Sequence, residues 1–451
     1  MSSSPDQSEV VSPAQSPTQP PTQTVVHVDI NAYFATLLQQ EVPSLRGRPV
    51  GVLKDVGRSC IIASSKEAKH RGVKTAMTVR DAKVLCPEIV LVPAQFELYL
   101  SATKRLKSLF DSFAPDVDIF SLDEAFLDYT PLKRLYASPL EFGQKIQAAI
   151  KKELGEWVTC NVGIGPNKLL AKMTGEVSPK GSVTEVTEQN RAALLASTCF
   201  KDVCGIGFRL ERRLQRFGVT TPYQINFLDD EMLLAAFGPF WSVELRKIGQ
   251  GEEPHFLARP AVKHNEHMKS VGRSLTGFKL WKTETAVRQV IYNLSEEVLY
   301  KVRAQGLAGR EVSVFLVGSW RGQSARASAR PVGWGELPDH TPSWGAHQMV
   351  PHHIRHTREF YAVIDQMLQS WTDQFPVIKI GVRLSHLEPW ESTPKVLWPE
   401  WWREEKVAMA LDSLTSKYGL FTVRPAALLG HDMIRPEVTG FLGDQKFQLG
   451  S

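Results

Sequence analysis

Cysteine is scarce: Cys60, Cys86, Cys160, Cys199 and Cys204 are the five in a chain of 451 residues. An odd, scattered set does not make a disulfide framework, and Cys199 and Cys204 lack the matching Cys or His pair of a zinc site. They read as reduced thiols of a cytoplasmic protein. Long apolar runs are also missing. Nothing approaches the ~20 residues of a membrane span or the hydrophobic stretch of a signal peptide, so a soluble chain without a membrane partner is expected. There is no GxxxxGK[ST] phosphate loop; GIGPNK at 163–168 is like one only superficially. Nor is one sign of charge in excess. Lys and Arg number 53 against 48 Asp and Glu, and a net +5 does not by itself mark a nucleic-acid binder.

What is present suggests several cores: 43% of residues are hydrophobic, enough at this length for roughly two to four domains. Residues 1–24, rich in Ser, Pro, Gln and Thr, read as a flexible leader. From Val25 the pattern alternates strand 25–30, helix 31–40, a small mixed segment to about 95, helix 96–114, hairpin 116–129, helix 137–155, strand 158–164 and helix 166–176. Residues 188–255 read as helical, with Gly205, Ile206 and Gly207 as a turn between two helices. Such a turn lets a phosphate approach backbone amides, as in a helix-hairpin-helix, although most GxG turns simply close a helix. Residues 267–388 read β-α-β-β-α-β: strand 267–277, helix 283–305, strand 309–319, a Ser/Arg/Ala strand at 324–331, helix 354–373 and strand 376–387. The loop 332–353 is long for a connection. Between 301 and 330, Lys301, Arg303, Arg310, Arg321, Arg326 and Arg330 face one acid, Glu311: a strip able to neutralise phosphates, or a solvated helix end and hairpin. Beyond 388, four tryptophans (390, 398, 401 and 402) precede an amphipathic helix at 405–418 stopped by Gly419, a tail expected to dock back on the core.

Two acidic motifs carry the chemistry: Asp29 in VVHVDINAYF, and Asp123-Glu124 in IFSLDEAFLD. A lone Asp at a strand end is usually a turn or cap, and an Asp-Glu pair is usually solvated. Carboxylates at the ends of buried strands, however, are costly unless compensated, and Mg²⁺ is the usual compensation. Two such ions, roughly 3.5–4 Å apart, clamp the attacking and leaving oxygens of an in-line displacement.

These motifs occur in order with LRGRPVGV, CIIASSKEAKHRGVKTAM, NVGIGPNKLLAKM, VCGIG and KSVGRSLT. Over about residues 25–388 the set resembles Y-family DNA polymerases, the DinB/UmuC group of translesion enzymes. The resemblance implies an α+β multidomain right hand: palm (25–40 and 95–187), small fingers (41–94), helical thumb (188–255), linker (256–266), little finger (267–388) and a C-terminal extension (389–451). It implies primer-template DNA and deoxynucleoside triphosphates as partners, a monomer, and two Mg²⁺ (Mn²⁺ substituting) on Asp29, Asp123, Glu124 and the carbonyl of Ile30. By resemblance, Asn31, Ala32, Tyr33 and Phe34 line the nucleotide, Phe34 as the steric gate against a ribose 2′-hydroxyl; the plainer alternative is a Phe packing the first helix. Asn31 stands where many relatives have a second acid, but not one that binds metal.

The fingers motif departs from the family, with Lys66 and Lys69 where many relatives have Tyr and Arg; a Lys supplies a point charge without the guanidinium fork. In EVSPKG, Lys180 is displaced from the family's Lys-Pro, with Ser178 at the old position. The resemblance places Gly205, Ile206, Gly207, Lys269, Arg273, Arg321, Arg326 and Arg330 against DNA. It leaves no stretch for a proofreading exonuclease, so low fidelity is expected. A clamp-binding peptide, usual in the family near the C-terminus, is matched in part by Gln445, Phe447 and Leu449. Residues 29–34 and 60–69 are closer to UmuC, KSVGRS to DinB. The competing readings are an inactive or partner-dependent DNA-binding accessory of the same fold, against which the intact acids weigh, and a nucleotidyl cyclase, which needs no duplex grip.

Overall fold

The computed structural model describes residues 23–54, 60–258, 268–319, 341–372, 374–419 and 421–428. Most of the leader, Arg321, Arg326, Arg330, the strand expected at 324–331 and the peptide 445–449 lie outside the described residues.

The chain opens on β1 (Val25–Ile30) and α1 (Tyr33–Glu41). Next come β2 (Val50–Leu53), β3 (Ile61–Ser64), α2 (Lys66–His70), α3 (Val79–Leu85) and β4 (Val90–Pro93). They lead to α4 (Phe96–Phe113), β5 (Val117–Ile119), β6 (Glu124–Asp128), α5 (Pro139–Leu154), β7 (Cys160–Gly165), α6 (Lys168–Val177) and β8 (Val183–Glu185). A helical stretch holds α7 (Glu188–Ser197), α8 (Phe208–Gln215), α9 (Asp230–Gln250) and α10 (His255–Ala258). Last come β9 (Ser270–Trp281), α11 (Glu284–Ala304), β10 (Leu307–Gly318), β11 (Ser343–Ile354), α12 (Thr357–Leu368), β12 (Val377–Ser385), β13 (Glu388–Pro389) and α13 (Pro399–Tyr418). Side-chain caps begin the main helices: Ser138 for α5, with Pro139 at its first position, Asn167 for α6, Asp229 for α9 and Thr283 for α11.

Two compact units result: residues to Asn31 with Thr103–Ala261, and Ala32–Ala102 with Val262–Ser451. In the first, five strands lie in the order β5-β6-β1-β7-β8, so β1 is central and buried on both sides. Helix α6 lies so close to β7 that a Cβ on Gly163 would fall 2.1 Å from the Ala171 carbonyl oxygen; only glycine permits that approach. The other side of α6 (Leu169, Leu170, Met173) shares a core with Phe200, Leu214, Ile225, Leu233 and Leu245, joining the helical stretch to the sheet. Where two helices were expected around Gly205–Gly207, the preceding one is a single 3₁₀ turn, Phe200–Asp202.

The second unit holds a three-stranded sheet, β3-β2-β4, and a four-stranded antiparallel sheet, β11-β10-β12-β9. Helices α11 and α12 pack on one face of the larger sheet over Val312, Val314, Leu316, Ile380, Val382 and Leu384. One partner of β10 is Ser343–Ile354, which apart from Ile354 lies inside the segment expected to be a loop. Its inward residues, Trp344, Ala346, Gln348 and Val350, alternate with Gly, His, Met and Pro351, a pattern tolerated because β11 is an edge strand. The C-terminal helix begins six residues before its expected start, at Pro399, taking Trp401 and Trp402 into its first turn. It docks as anticipated: Trp401 stacks on Trp390 at 5.2 Å, Glu405 takes a 2.6 Å bond from His356, and Asp412 pairs with Arg303.

Candidate active site

The acids are brought together by strand register. Antiparallel pairing of β1 with β6 sets Asp29 directly opposite Glu124, and His27 opposite Phe126. Asp123 ends the β5–β6 turn, where its carbonyl accepts the Ile30 N–H at 2.9 Å and its Oδ1 accepts the Ser121 hydroxyl at 2.5 Å. His27, Asp29, Glu124 and Phe126 share the face that α6 covers, because side chains two apart on a strand point the same way. From α6, the ammonium of Lys172 reaches Glu124 Oε2, with Glu176 3.8 Å away from it one turn on. His27, fully buried, puts Nε2 3.0 Å from the same oxygen. Asp29 near the end of central β1 and Glu124 at the start of neighbouring β6 lie at one end of the sheet, with Asp123 in the adjoining turn; among the described residues no group of three or more His, Cys, Asp or Glu side chains is already arranged to hold a metal ion.

The electrostatics of this cluster are asymmetric. Burial, then the charges of Asp123, Glu176 and Glu124, push the Asp29 carboxyl up to about 7. Burial also raises Asp123, against the bond from Ser121. For Glu124, burial acts upward, but the bond from His27 and the charge of Lys172 outweigh it and hold the carboxyl at about 2. Burial lowers the His27 imidazole, against the bond with Glu124. Burial would lower Lys172 as well, but Glu124 beside it raises it on balance. Four carboxyls thus face one ammonium. Hard oxygen donors in negative excess fit a divalent cation.

Sequence reasoning missed His27, Ser121, Lys172 and Glu176. The available signal was periodicity: His27 lies two before Asp29 on a strand, and Lys172 lies four after Lys168 on a helix. Other expected residues divide. Asn31 donates from Nδ2 to Thr159 Oγ1 at 3.3 Å. Ala32 adopts a left-handed conformation (φ 50°, ψ 43°) at the start of α1, a strained choice for a residue with a Cβ. Tyr33 is a core residue whose hydroxyl donates to the Tyr99 carbonyl at 2.8 Å, which leaves only its main chain for a nucleotide. Phe34 is half-buried, its ring stacked on Tyr99 at 4.3 Å and 23°. Lys66 and Lys69 are exposed on α2, beside buried Ala68, and Lys180 is exposed in the turn after α6.

Gly205 has φ 89° and is backed by Phe256, whose ring would lie 2.4 Å from an added Cβ; Gly207 precedes α8, and Ile206 points into the core. Lys269 is exposed. Arg273 must be corrected. It pairs across strands with Val382 on the helix-covered face, is 4% exposed, and bonds Glu297 at 2.8 Å. Alternation along β9 takes it inward, whereas Lys379 and Arg383 of β12 stand on the opposite face.

Residues 28–176 match the impB/mucB/samB family model, and residues 268–395 match the model of the impB/mucB/samB family C-terminal domain. A protein named DNA polymerase IV from Pelotomaculum thermopropionicum is 30% identical over 412 residues, covering 90% of this chain and 95% of that one. Its namesake from Moorella thermoacetica is 29% identical over 416 residues, with 90% and 96% covered. Among solved structures, the Y-family DNA polymerase chimera Dbh-Dpo4(243-245)-Dbh has a similar fold, with a TM-score of 0.64 at 22% identity over 80% of this chain and 98% of that chain.

Proposed function

Because the chain belongs to the Y family of DNA polymerases, a template-directed, translesion DNA polymerase with the family's right-hand fold, we propose that Asp29, Asp123 and Glu124 form its catalytic centre. The observation that carries this reading is the register of β1 and β6, which sets Asp29 against Glu124 beside Asp123 while Asp29 is pushed up to about 7. The three carboxylates, with the Ile30 carbonyl, would hold two Mg²⁺, or Mn²⁺ in their place. Ions held there would supply activation of the primer 3′-hydroxyl and neutralisation of the triphosphate. Among the described residues Lys172 is the one lysine in contact with Glu124, so little compensating charge faces the carboxylates there.

In this reading Phe34 excludes a ribose by clash, held flat by its stack on Tyr99. Lys66, Lys69 and Lys180 provide point charges for the triphosphate, and the main chain of 31–33 lines the sugar. The Gly205–Gly207 turn takes a backbone phosphate, with Ile206 contributing main chain only. Lys269, Lys379 and Arg383 replace Arg273 as the basic side chains for the duplex on the little-finger sheet. Palm, fingers, thumb and little finger correspond to the five-stranded sheet, the three-stranded sheet, helices α7–α10 and the four-stranded sheet.

The test is Mg²⁺-dependent primer extension by the purified chain on undamaged and abasic templates, with Asp123→Ala beside it. Extension by the wild type alone supports the assignment, and the abasic template reports bypass. Equal extension by the variant refutes it; no extension by either points to a partner-dependent enzyme or to the inactive accessory.

A further inference from the structure

His27 takes no part in the reaction as described, yet it is fully buried two residues from Asp29. Its ring is held from two sides. Phe126 lies 4.8 Å away between centroids, and α6 backs it so closely that a Cβ on Gly175 would stand 3.4 Å from Nδ1. Since a carboxylate only accepts, the 3.0 Å contact with Glu124 Oε2 requires the proton on Nε2. Lys172 contacts that same oxygen. Among the described residues, Glu124 Oε1 makes no hydrogen bond, so both donors hold one oxygen and leave the other.

The two donors are not equivalent. Lys172 supplies charge from a flexible four-carbon stem that turns with its ammonium. An imidazole wedged between an aromatic ring and a helix has one orientation, so its N–H fixes where the carboxylate plane lies. We infer that His27 is a positioning residue of the polymerase site, pinning Glu124 through Oε2 so that Oε1 stays available as a ligand. The inference rests on the reading of Glu124 as a metal ligand.

The test measures Mn²⁺ binding to the full chain with primer-template DNA by electron paramagnetic resonance, alongside the Mg²⁺ dependence of extension and melting in EDTA. His27→Phe keeps a ring without the N–H, His27→Leu removes the N–H with a different packing load, and His27→Gln restores an N–H near the Nε2 position. Loss of such an outer partner characteristically costs about 10–100-fold in metal affinity. The Phe and Leu variants are therefore expected to bind Mn²⁺ about 10–100-fold more weakly and to need correspondingly more Mg²⁺, with the Gln variant close to wild type. Wild-type Mn²⁺ affinity in the Phe or Leu variant, whatever its melting temperature, overturns the inference by leaving His27 only a packing role. A folded Gln variant as weak as the Phe variant overturns it too. Glu124→Gln separates the two readings: unchanged Mn²⁺ binding there removes the ligand assignment, whereas lost binding there with intact binding in His27→Phe removes only the role of His27.

Discussion

Replacing Asp29 by Asn is expected to stabilise the metal-free protein while abolishing polymerisation. In the fold, the Asp29 carboxyl is pushed up from 3.8 to about 7 by burial and by the charges of Asp123, Glu176 and Glu124. The sign follows from proton binding: between these values the native state keeps a proton that the unfolded chain has lost, so rising pH destabilises the fold through this window and no further above it. Three pKa units correspond to roughly 4 kcal/mol at pH 8, and under half of that at pH 5, where the native carboxyl is still protonated. Asn cannot ionise and escapes this net penalty, in which the attraction of Lys172 is already counted. For a unit of this size the gain at pH 8 is on the order of 10 °C in melting temperature. Scanning calorimetry in EDTA at both pH values reads it directly. Added Mg²⁺ should raise the wild-type transition and leave the variant's unmoved, since the ion stabilises only a state that binds it. A variant that melts at or below wild type at pH 8, or a gain that does not shrink at pH 5, would refute the electrostatic argument.

Phe34→Ala is expected to cut discrimination between deoxy- and ribonucleotides by at least ~10-fold in single-nucleotide insertion, and unchanged discrimination would show that the ring is no gate. Arg383→Ala should weaken DNA binding and reduce the slope of log affinity against log salt by about one. Arg273→Met should leave that slope unchanged but destabilise the little finger by ~3–5 kcal/mol in urea unfolding, because it strands the buried Glu297 charge; a changed slope would return Arg273 to the DNA face. Gly205→Ala meets both a positive φ and the Phe256 ring, and should cost ~1–3 kcal/mol of stability together with weaker duplex binding; wild-type melting would mean that the turn relaxes freely.

The legible parts of the chain were those written in local pattern. VVHVD and AFLDY read as strands because β-branched and aromatic residues surround the acids, and both formed, with Asp29 and Glu124 at their ends. Helices α4, α5 and α11 lie within a few residues of the apolar periodicity that announced them. Strand β11 was hidden because an edge strand tolerates Gly, His and Pro, which read as loop. Arg273 misled because basic residues in a strand suggest a solvent face, whereas its register against Val382 and a buried partner 24 positions away set the direction.

The sequence by itself determined the family, most of the order of elements and the placement of the three acids at or beside strand ends, since those are carried by motifs a few residues long and by periodicities of two and 3.6. Tertiary structure alone decided what surrounds them. The pairing of His27 and Lys172 on one oxygen of Glu124 joins residues 97 and 48 positions from it, and burial raises Asp29 while those two partners lower Glu124. Neither follows from composition or spacing, because electrostatic environment depends on distance and dielectric in the packed state, and a chain acquires both only when its strands find their register.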